Sequence, residues 1–581
     1  MTRLYDNPAD FMDDMLAGFL DAHRDRVTGV PGGVVRAAET APGKVAVVVG
    51  GGSGHYPAFC GVVGPGFADG AVVGNIFTSP SAEDAYSVGR AASGGGGVVI
   101  TSGNYAGDVM NFTQAQQRLV AEGIDTRVVF VTDDVASAPV HEVDKRRGIA
   151  GDFVVFKAMG AAAEEGYSLD DVERVGQKAN DRTRTLGVAF SGCTMPGEDH
   201  PLFTVPAGKM GVGLGIHGEP GVSEDDIQPA AELARRLVDG AVAELTLGDN
   251  PRVGAILNGL GATKYEELFV VWKTVSALLR ERGVTVVGPE VGELVTSLDM
   301  AGCSLTLVAL DEELERLWRA PADTPAYRKA AGSAGWAAGE RRNAEGLDAL
   351  THTQAHAQAS SASAACAQQA FAVLAGMRAA LIEVEHELGR IDAIAGDGDH
   401  GRGMVKGIAA AVNAARFCAD DGSGVATLLR AAGTAWQAKA GGTSGALWGA
   451  ALVAVGDRLG DDAEIAATDV VAALRAGQDA IQRLGKCELG DKTMLDALAP
   501  FVVALGAGVT AGRPLVDAWV AAAVVAEKAA EDTAPMTPRV GRARPLAERS
   551  IGTPDAGATS LALCMTVAGR ALAARSTHAE D

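Results

Sequence analysis

The pattern of apolar residues changes once along this chain, and that change limits the possible folds more than any other sequence feature. Up to about residue 320, short runs of β-branched residues alternate with segments of helical periodicity. From about Cys366 onward, apolar residues recur almost only at the three- and four-residue spacing of helices. The stretch Pro321–Ala365 between these regions is rich in Ala, Gly, Ser, Gln and Thr, which is typical of a linker.

These three regions predict two domains joined by a linker. We assign residues 1–325 to an α/β domain with a parallel or mixed sheet, because strand and helix patterns alternate there. The linker covers 326–365, and residues 366–577 form an all-α domain whose Ala-rich helices can pack around a central space. In an α/β sheet, ligands bind beyond the carboxyl ends of the strands, so we expect the binding residues in the loops that follow strands.

Charge and cysteine usage exclude several classes of function. The 581 residues carry 50 Lys and Arg against 73 Asp and Glu, a net charge of −23, which disfavours nucleic acid and anionic membranes as partners. The seven cysteines are scattered without a CxxC motif, which indicates free thiols in a reducing compartment. The sequence shows neither a signal peptide nor a long uninterrupted apolar stretch, so we expect a cytoplasmic protein.

A cluster of aspartates in the all-α region is the first candidate site. Asp392, Asp397 and Asp399 lie close together in RIDAIAGDGDHGRG, where the neighbouring glycines let the backbone fold tightly. Hard divalent cations such as Mg²⁺ take carboxylate oxygens together with substrate phosphates. A solvated acidic turn is the simpler interpretation when such a motif stands alone.

Three later segments favour a metal and phosphate site over an acidic turn. AGGTSGALWG places Thr443 and Ser444 where the start of a helix presents amides and hydroxyls to a phosphate, although an ordinary helix cap has the same pattern. GDKTMLDAL offers Lys492 and Thr493 as further nucleotide contacts. GRARPLAERSIGTPDAGATS combines arginines with a turn before the last helix, and the P-loop pattern GxxxxGK[ST] is absent from the sequence.

The α/β region offers histidines and carboxylates in loops that follow strands. GGGSGHYP continues directly from a strand and ends its glycine run at His55. A loop after a second strand contains Asn104 and Asp108, and GVGLGIHGEPG places His217 among glycines beside Glu219. A lone loop histidine is more often a surface residue, but flanking glycines and a neighbouring glutamate make this one a candidate for catalysis.

Together these segments resemble the ATP-dependent dihydroxyacetone kinase family. The matching segments follow that family's order over nearly the whole chain: GGGSGH, NYAGDVMNF, RRGIAGD, GIHGEPG, GDGDHG, GGTSGAL, GDKTM and GRA…ERSIGTPDAGATS. The resemblance implies an N-terminal ketose-binding domain of two subdomains and a C-terminal helical barrel that binds nucleotide. It also implies ATP and Mg²⁺ as cofactors, a small ketose as the substrate and a homodimer as the assembly.

The resemblance further implies a role for each candidate side chain. His217 would bind the substrate carbonyl covalently as a hemiaminal, since a neutral imidazole nitrogen is a competent nucleophile, and glycerol would be rejected because it has no carbonyl. His55 would hydrogen-bond the former carbonyl oxygen, and Asp108 would accept the proton of the attacking hydroxyl. The three clustered aspartates would hold two Mg²⁺ ions that bridge the phosphates.

Other contacts are implied at positions that match the family's motifs. The substrate-binding residues would be Gly52, Ser53, Gly54, Tyr56, Gly103 and Asn104. The nucleotide-binding residues would be His400, Gly401, Thr443, Ser444, Gly445, Gly485, Thr493, Met494, Arg542, Thr553 and Asp555.

Two positions depart from the family's usual pattern, and both border the implied acceptor pocket. Tyr56 stands where a glutamate is usual, and Gly103 stands where a lysine is usual. Loss of a lysine removes a charged donor and frees volume, which favours the four-carbon ketose erythrulose over dihydroxyacetone, and the same departures resemble an erythrulose-specific branch. The alternatives are a dihydroxyacetone kinase proper, a lyase that cyclises a flavin dinucleotide, and a sugar-binding regulatory protein.

Overall fold

The computed structural model describes residues 2–330, 359–396, 398–440, 442–462, 464–540 and 547–576. The chain divides into two compact units, 1–341 and 342–581. Of the predicted linker, residues 331–358 lie outside the described part. Its described ends carry regular structure, because a short strand ends at Lys329 and a helix begins at Ser361.

The described part of the first unit contains fifteen strands and eight helices. The strands are β1 (Val27–Val30), β2 (Gly33–Arg36), β3 (Ala46–Ser53), β4 (Gly70–Ile76), β5 (Val98–Gly103), β6 (Thr126–Val131), β7 (Thr183–Ala189), β8 (Lys209–Val212), β9 (Ser223–Asp226), β10 (Arg252–Gly259), β11 (Thr285–Val286), β12 (Glu290–Gly292), β13 (Gly302–Ala309), β14 (Ala322–Asp323) and β15 (Arg328–Lys329). The helices are α1 (Phe11–Ala22), α2 (Ala82–Ala92), α3 (Ala106–Ala121), α4 (Gly151–Glu164), α5 (Leu169–Asp181), α6 (Ala230–Val242), α7 (Tyr265–Glu281) and α8 (Glu312–Arg319).

The first sheet brings together the strand ends that precede the candidate loops. Its strand order is β1-β2-β4-β3-β5-β6, in which β4, β3, β5 and β6 are parallel. β3 extends through the glycine run to Ser53, because Gly51 and Gly52 pair with β4. The carboxyl ends of β3, β4 and β5 therefore lie side by side, and the loops that leave them share one edge of the sheet.

A second sheet is mostly antiparallel, and α4 lies between the two sheets. Its order is β11-β10-β13-β7-β8-β9, with β12 beside β10. All residues of α4 from Gly151 to Ala163 are buried, and they pack with Val47 of β3 and Ile256 of β10 in one hydrophobic core. A helix buried on every face needs small or apolar residues nearly all round, which FVVFKAMGAAA supplies except at Lys157, whose ammonium donates to the carbonyl oxygen of Leu317 at 3.0 Å. The prediction of an α/β domain is confirmed.

The second unit is helical throughout its described part. Its helices are α9 (Ser361–Glu383), α10 (Glu385–Asp392), α11 (His400–Asp420), α12 (Val425–Ala440), α13 (Gly442–Leu459), α14 (Ala467–Gly485), α15 (Leu495–Thr510), α16 (Leu515–Glu531), α17 (Ala547–Ser550) and α18 (Ala556–Ser576).

Eight of these helices close a ring in which each packs against two neighbours. The order around the ring is α9, α11, α12, α13, α14, α15, α16 and α18, with α18 against α9. Helices joined by short loops run in opposite directions, so α11, α13, α15 and α18 begin at the same end of the ring. The predicted helical barrel is confirmed.

Two helices of the ring also reach the length and hydropathy of a membrane span. They are Ser361–Glu383 and Ala556–Ala574. Both pack against each other and against further ring members, and residues of both belong to the hydrophobic core of this unit. Part of the apolar surface of each helix is therefore buried inside the barrel, including Leu374 and Leu381 of α9 and Leu561 and Cys564 of α18.

Candidate active site

Two histidines from distant parts of the first unit meet at hydrogen-bond distance. His55 follows β3, and His217 lies in the loop between β8 and β9; their Nε2 atoms are 3.0 Å apart. Burial, and then the electrostatic interaction with the His217 ring, lower the pKa of His55 to about 3. The two histidines that the sequence suggested separately therefore form one unit.

Each histidine is held by an acceptor at its other ring nitrogen. The Nδ1 atom of His55 lies 2.7 Å from the carbonyl oxygen of Thr296. The Nδ1 atom of His217 lies 2.9 Å from Oε1 of Glu219, whose Oε2 accepts the backbone N–H of His217 at 3.0 Å. Burial alone would raise the pKa of Glu219, but the hydrogen bond and the charge of His217 outweigh it and lower the pKa to about 2. Glu219 is thus a carboxylate that fixes the ring of His217.

Aromatic rings surround this pair, and sequence reasoning did not single them out. The Phe77 ring stacks on His55 with centroids 5.1 Å apart and meets His217 edge-on at 5.1 Å. The Tyr105 ring meets His217 edge-on at 4.8 Å, and its hydroxyl donates to the carbonyl oxygen of Gly148. Tyr105 lies inside the NYAGD motif, so the sequence could have predicted it as a site residue. Phe77 follows β4 and belongs to no motif that would have predicted it.

The glycines at the carboxyl end of β3 allow Phe77 to approach. A Cβ atom on Gly52 would stand 2.6 Å from the backbone nitrogen of Thr78, and one on Gly54 would stand 2.7 Å from the Phe77 ring. Phe77 itself has a φ of 54°, a left-handed conformation that is uncommon for a large side chain. Between these glycines, the Ser53 hydroxyl is buried without a hydrogen-bond partner among the described residues, so it remains available to a ligand.

Asp108 occupies the first turn of α3 and is largely buried. Its Oδ1 accepts a hydrogen bond from the Ser79 hydroxyl at 3.1 Å. Burial raises the pKa of Asp108 to about 6, and the hydrogen bond from Ser79 opposes that rise. A carboxyl group with this pKa can take up a proton near neutral pH, as the predicted base requires.

Asn104 acts on the backbone of the adjacent loop. Its Nδ2 donates to the carbonyl oxygens of Asp144 and Arg146 at 2.9 and 2.8 Å. The side-chain amide of Asn104 therefore holds the loop that carries Arg147 and Gly148. These two bonds use its Nδ2 atom and do not involve its Oδ1 atom. The structure places Asn104 as a support of the histidine pocket.

Of the two departures from the family pattern, Gly103 does not free the volume that the sequence suggested. A Cβ on Gly103 would stand 2.9 Å from the Tyr105 ring and 3.1 Å from the Gly148 oxygen, so Tyr105 fills the volume that was expected to be free. Tyr56 is 45% exposed, and its ring meets the Phe19 ring of α1 at 6.3 Å. The predicted enlargement of the pocket at Gly103 is therefore wrong, because the space around its Cβ position is already filled.

In the second unit, the predicted phosphate segments converge on one cleft of about 320 Å³. The predicted residues that line it are Asp392, Asp399, His400, Thr443, Ser444, Gly445, Gly485, Lys492, Thr493, Met494 and Asp555. Gly401 and Thr553 do not line it, and Asp397 and Arg542 lie outside the described residues. The cleft lies at the starts of α11, α13, α15 and α18, where the positive ends of the helix dipoles favour anions.

Hydroxyls and a buried histidine link three of these helix starts. His400 of α11 has its Nδ1 3.2 Å from the Ser444 hydroxyl of α13 and its Nε2 3.0 Å from the Ser560 hydroxyl of α18. Burial lowers the pKa of His400, which favours the neutral ring. Burial also raises the pKa of Asp555 to about 6. Ser560 and the lining residues Gly557 and Cys487 were not identified from the sequence.

The aspartate cluster fits a hard cation. Oδ2 of Asp392 is buried and has no hydrogen-bond partner among the described residues, which is unfavourable unless a ligand compensates it. Asp399 lines the same cleft one residue before α11. Three His, Cys, Asp or Glu side chains grouped tightly enough to bind a metal by themselves are not found in the described ranges, to which Asp397 does not belong. Phosphate oxygens can supply the ligands that the protein does not.

Lys492 has a different function from the nucleotide contact that the sequence suggested. It is 4% exposed, and its ammonium donates to the carbonyl oxygens of Ala534, Met536 and Ser550 at 3.3, 3.2 and 2.7 Å. The ammonium thus ties the start of α15 to both described ends of the segment before α18. Its three donors are engaged by backbone, so it positions the cleft wall rather than a phosphate.

We expect Lys492→Met to destabilise the helical unit by about 2–4 kcal/mol, because three carbonyls lose a charged donor and part of that loss is recovered by water. The measurement is urea unfolding followed by circular dichroism. Lys528→Met is the matched control, since Lys528 is 67% exposed and its surface ion pairs are worth about 1 kcal/mol or less. Equal effects of the two substitutions would contradict the positioning role.

Comparison with known proteins matches both units. A model of the Dak1 domain matches residues 17–326, and a model of the DAK2 domain matches residues 394–569. The chain is 61% identical to a D-erythrulose kinase of Mycolicibacterium smegmatis, over 97% of each chain. It is 54% identical to an L-erythrulose kinase of Pectobacterium atrosepticum, over 97% of this chain and 95% of the relative. The crystal structure of the dihydroxyacetone kinase from C. freundii in complex with AMP-PNP and Mg²⁺ aligns with a TM-score of 0.58 at 29% identity, covering 98% of this chain and 99% of that one.

The relatives named kinases, at 54–61% identity over nearly the whole chain, show that this protein is a kinase of two domains. The chain belongs to the dihydroxyacetone kinase family and carries both of that family's domains in one polypeptide. The family that the motifs predicted is confirmed.

Proposed function

We propose that this kinase transfers the γ-phosphoryl group of ATP to a terminal hydroxyl of erythrulose, held as a hemiaminal on His217. The observation that carries the proposal is the 3.0 Å contact of the His55 and His217 Nε2 atoms, in a chain whose relatives are named erythrulose kinases. A carbonyl group that binds against both Nε2 atoms would have a nucleophile at its carbon and a hydrogen-bond partner at its oxygen.

The chain's own residues supply the acceptor chemistry. Glu219 accepts the Nδ1–H of His217 and so leaves the Nε2 lone pair for the carbonyl carbon. His55 stands where it can hydrogen-bond the carbonyl oxygen, and the Ser53 hydroxyl offers a further contact to a polyhydroxy substrate. Asp108 accepts the proton of the attacking hydroxyl, which its pKa of about 6 permits at neutral pH.

The cleft of the second unit supplies the donor. Backbone amides at the starts of α11 and α13 would bind the phosphates, with the Thr443 and Ser444 hydroxyls beside them, and the dipoles of α15 and α18 add positive potential. Asp392, Asp397 and Asp399 would hold Mg²⁺, which when bound neutralises charge on the phosphates. His400 keeps Ser444 in place through its 3.2 Å contact.

The size of the acceptor rests on the walls of the histidine pocket. Phe77 and Tyr105 bound the pair with aromatic rings, and Gly103 places no charged side chain where the family usually has a lysine. Gly103 contributes by allowing the Tyr105 ring to lie against the backbone of β5. These features, with the named relatives, support a four-carbon ketose.

A panel of acceptors tests the proposal. We expect kcat/KM to be highest for one enantiomer of erythrulose, lower for dihydroxyacetone, and negligible for glycerol, which has no carbonyl to add to His217. ADP release with Mg-ATP is the readout. Glycerol as the best acceptor would overturn the hemiaminal, and dihydroxyacetone as the best acceptor would overturn the assignment of erythrulose alone.

The pH dependence of kcat/KM tests whether Asp108 is the base that accepts the proton of the attacking hydroxyl. Asp108 must be ionised to accept a proton, so we expect activity to fall as the pH drops through about 6. Because the hydrogen bond from Ser79 lowers the pKa of Asp108, Ser79→Ala should move this acid limb to higher pH. Thr78→Ala is the neighbouring control, since the Thr78 hydroxyl donates to the carbonyl of Ile76 instead. An acid limb that stays in place in Ser79→Ala would exclude Asp108 as the titrating group.

We also propose that the protein is a cytoplasmic homodimer. The seven cysteines are all free thiols in the structure, which supports a reducing compartment. The family resemblance supports the dimer. Light scattering of the purified chain tests this assembly, and a mass of one chain, 59.1 kDa, would contradict it.

A further inference from the structure

Helix α7 of the first unit presents two neighbouring large apolar side chains to solvent. Phe269 is 54% exposed and Val270 is 57% exposed. The helix packs on α6 and on strands β10, β11 and β12, and its buried face carries Leu268, Val271 and Val275. An exposed apolar patch that polar residues border is typical of a protein interaction surface.

Two charges of opposite sign border this patch. Glu266 precedes Phe269 by three residues, and Lys273 follows Val270 by three residues. Both charged side chains are exposed, and neither forms an ion pair or a side-chain hydrogen bond with the rest of the described chain. Positions i, i+3, i+4 and i+7 share one face of a helix, so these four side chains form a single strip. We term Glu266, Phe269, Val270 and Lys273 the α7 strip.

Neighbouring side chains order the α7 strip without covering it. The Phe269 ring contacts the Tyr265 ring with centroids 6.4 Å apart, and the Tyr265 hydroxyl oxygen accepts the backbone N–H of Glu293 at 3.4 Å. The adjacent Lys264 and Glu267 form their own ion pair at 3.1 Å. The strip therefore has one acid and one base and is locally neutral, although the whole chain carries a net charge of −23.

The α7 strip is complementary to a second copy of itself. When two antiparallel α7 helices are related by a twofold axis between residues 269 and 270, Phe269 lies opposite Val270 of the partner subunit. The same axis places Glu266 opposite Lys273 of the partner subunit. Symmetry repeats each contact, so two apolar contacts lie between two ion pairs. A parallel arrangement would instead place Glu266 against Glu266 and Lys273 against Lys273.

We propose that the α7 strip is a twofold contact between two copies of this chain. Phe269 and Val270 form its apolar centre, and the two pairs of Glu266 with Lys273 fix the antiparallel register. The inference rests on the homodimer of the proposed function and gives that dimer a surface. A locally neutral surface suits this contact, because two chains of net charge −23 repel each other elsewhere.

An apolar patch on α16 of the second unit lacks this complementarity and provides the control. Val520 and Val524 are 45% and 60% exposed. Lys528, which follows them, already pairs with Asp532 at 2.9 Å and with Glu531 at 3.5 Å. Acids are in excess around this lysine, so a second copy of the α16 patch would bring further negative charge.

Charge reversal tests the register of the α7 contact. Sedimentation velocity of the full-length protein over a range of concentrations gives the dissociation constant of the dimer. We expect Glu266→Lys and Lys273→Glu each to raise this constant about tenfold or more, because each variant turns two attractions into two repulsions. An equal mixture of the two variants should form a heterodimer about as stable as the wild-type dimer, since each chain supplies the charges that the other lacks.

The variant that carries both reversals should also dimerise like the wild type, because its ion pairs form with their signs exchanged. Single variants with an unchanged dissociation constant would overturn the proposal. So would a mixture, or a doubly reversed variant, that dimerises no better than the single variants.

Substitutions of the apolar centre test the same contact independently of charge. We expect Phe269→Ala to raise the dissociation constant about tenfold or more, as truncation of a central aromatic side chain does. Val524→Ala on α16 is the matched control and should leave it unchanged. The reverse result, a weaker dimer only in Val524→Ala, would assign the contact to α16 and overturn the proposal.

Chemical cross-linking tests the position of the twofold axis. Val270 lies beside the axis, so Val270→Cys should join two chains through a short bismaleimide, whereas Val524→Cys should not. Six of the seven native thiols are buried, and the wild type measures the background from Cys366. Absence of cross-linked dimer in Val270→Cys at concentrations where the protein is dimeric would overturn the proposal.

The outcomes separate this inference from the proposed function. A dimeric wild type that the α7 variants leave unchanged would refute the α7 contact while the homodimer stands. A monomeric wild type would refute both. Kinase activity with erythrulose is measured on the same samples and decides the substrate separately. Circular dichroism checks the fold of each variant, and a variant that unfolds is replaced by the cross-linking result, since Val270→Cys is a small change at an exposed position.

Discussion

Replacing His217 by alanine is expected to lower kcat/KM for erythrulose by about 10²–10⁴-fold, the range that a positioned catalytic group supplies. The substitution removes the nitrogen that binds the carbonyl carbon and also the partner of His55. Initial rates of ADP release over a range of ketose concentrations provide the measurement. The loss of activity should appear in the kinetic constants for the ketose, whereas the KM for ATP should be nearly unchanged.

His141→Ala is the matched control, because His141 belongs to the same unit and is exposed. Its activity should equal that of the wild type. Glycerol provides a second comparison, since an acceptor without a carbonyl gains nothing from His217. A His217→Ala variant with unchanged ketose turnover and affinity would exclude covalent binding at this residue.

Asp392→Asn is expected to lower kcat by about 10²–10³-fold while leaving ketose binding intact. The substitution removes charge from a buried oxygen that has no partner in the described part of the protein and that fits a metal ligand. Loss of one metal ligand forfeits several kcal/mol of charge stabilisation during phosphoryl transfer, and each 1.4 kcal/mol corresponds to about tenfold in rate. The measurements are kinase activity as a function of Mg²⁺ concentration and ketose affinity by calorimetry.

The control for the aspartate is Asp479→Asn, an exposed position on α14 of the same barrel. It should retain full activity and the wild-type Mg²⁺ dependence. An Asp392→Asn variant with normal kcat at every Mg²⁺ concentration would show that the cluster is an acidic turn. Simultaneous loss of ketose binding would contradict the separation of the two half-sites between the units.

The donor cleft was largely predictable because its residues are local to helix starts. A Gly-rich turn, a hydroxyl and the first turn of a helix are all visible in sequence at Thr443, Thr493 and Asp555. Antiparallel connectivity then places alternate helix starts at one end of a barrel without further information. What could not be predicted was the use of Lys492, since three backbone carbonyls distant in sequence determine where its ammonium lies.

The acceptor site was predictable only in part, because it forms across tertiary contacts. The motifs identified both histidines, but not that their Nε2 atoms meet, since Thr296 and the loop before β9 set the ring orientations. Phe77 has no motif and reaches the site through a left-handed backbone beside glycines. The inference from Gly103 failed for a related reason: the volume of a missing side chain is available only if no neighbour, here Tyr105, fills it.

The most direct test of the account is ¹³C spectroscopy of erythrulose labelled at its carbonyl carbon and mixed with excess protein without nucleotide. The account predicts that the ketone resonance is replaced by that of a tetrahedral carbon bonded to nitrogen and oxygen, and that His217→Ala abolishes this change. On addition of Mg-ATP the adduct should be consumed as erythrulose phosphate appears. A ketone resonance that persists in the bound state while phosphorylated product forms at the normal rate would contradict covalent binding at His217.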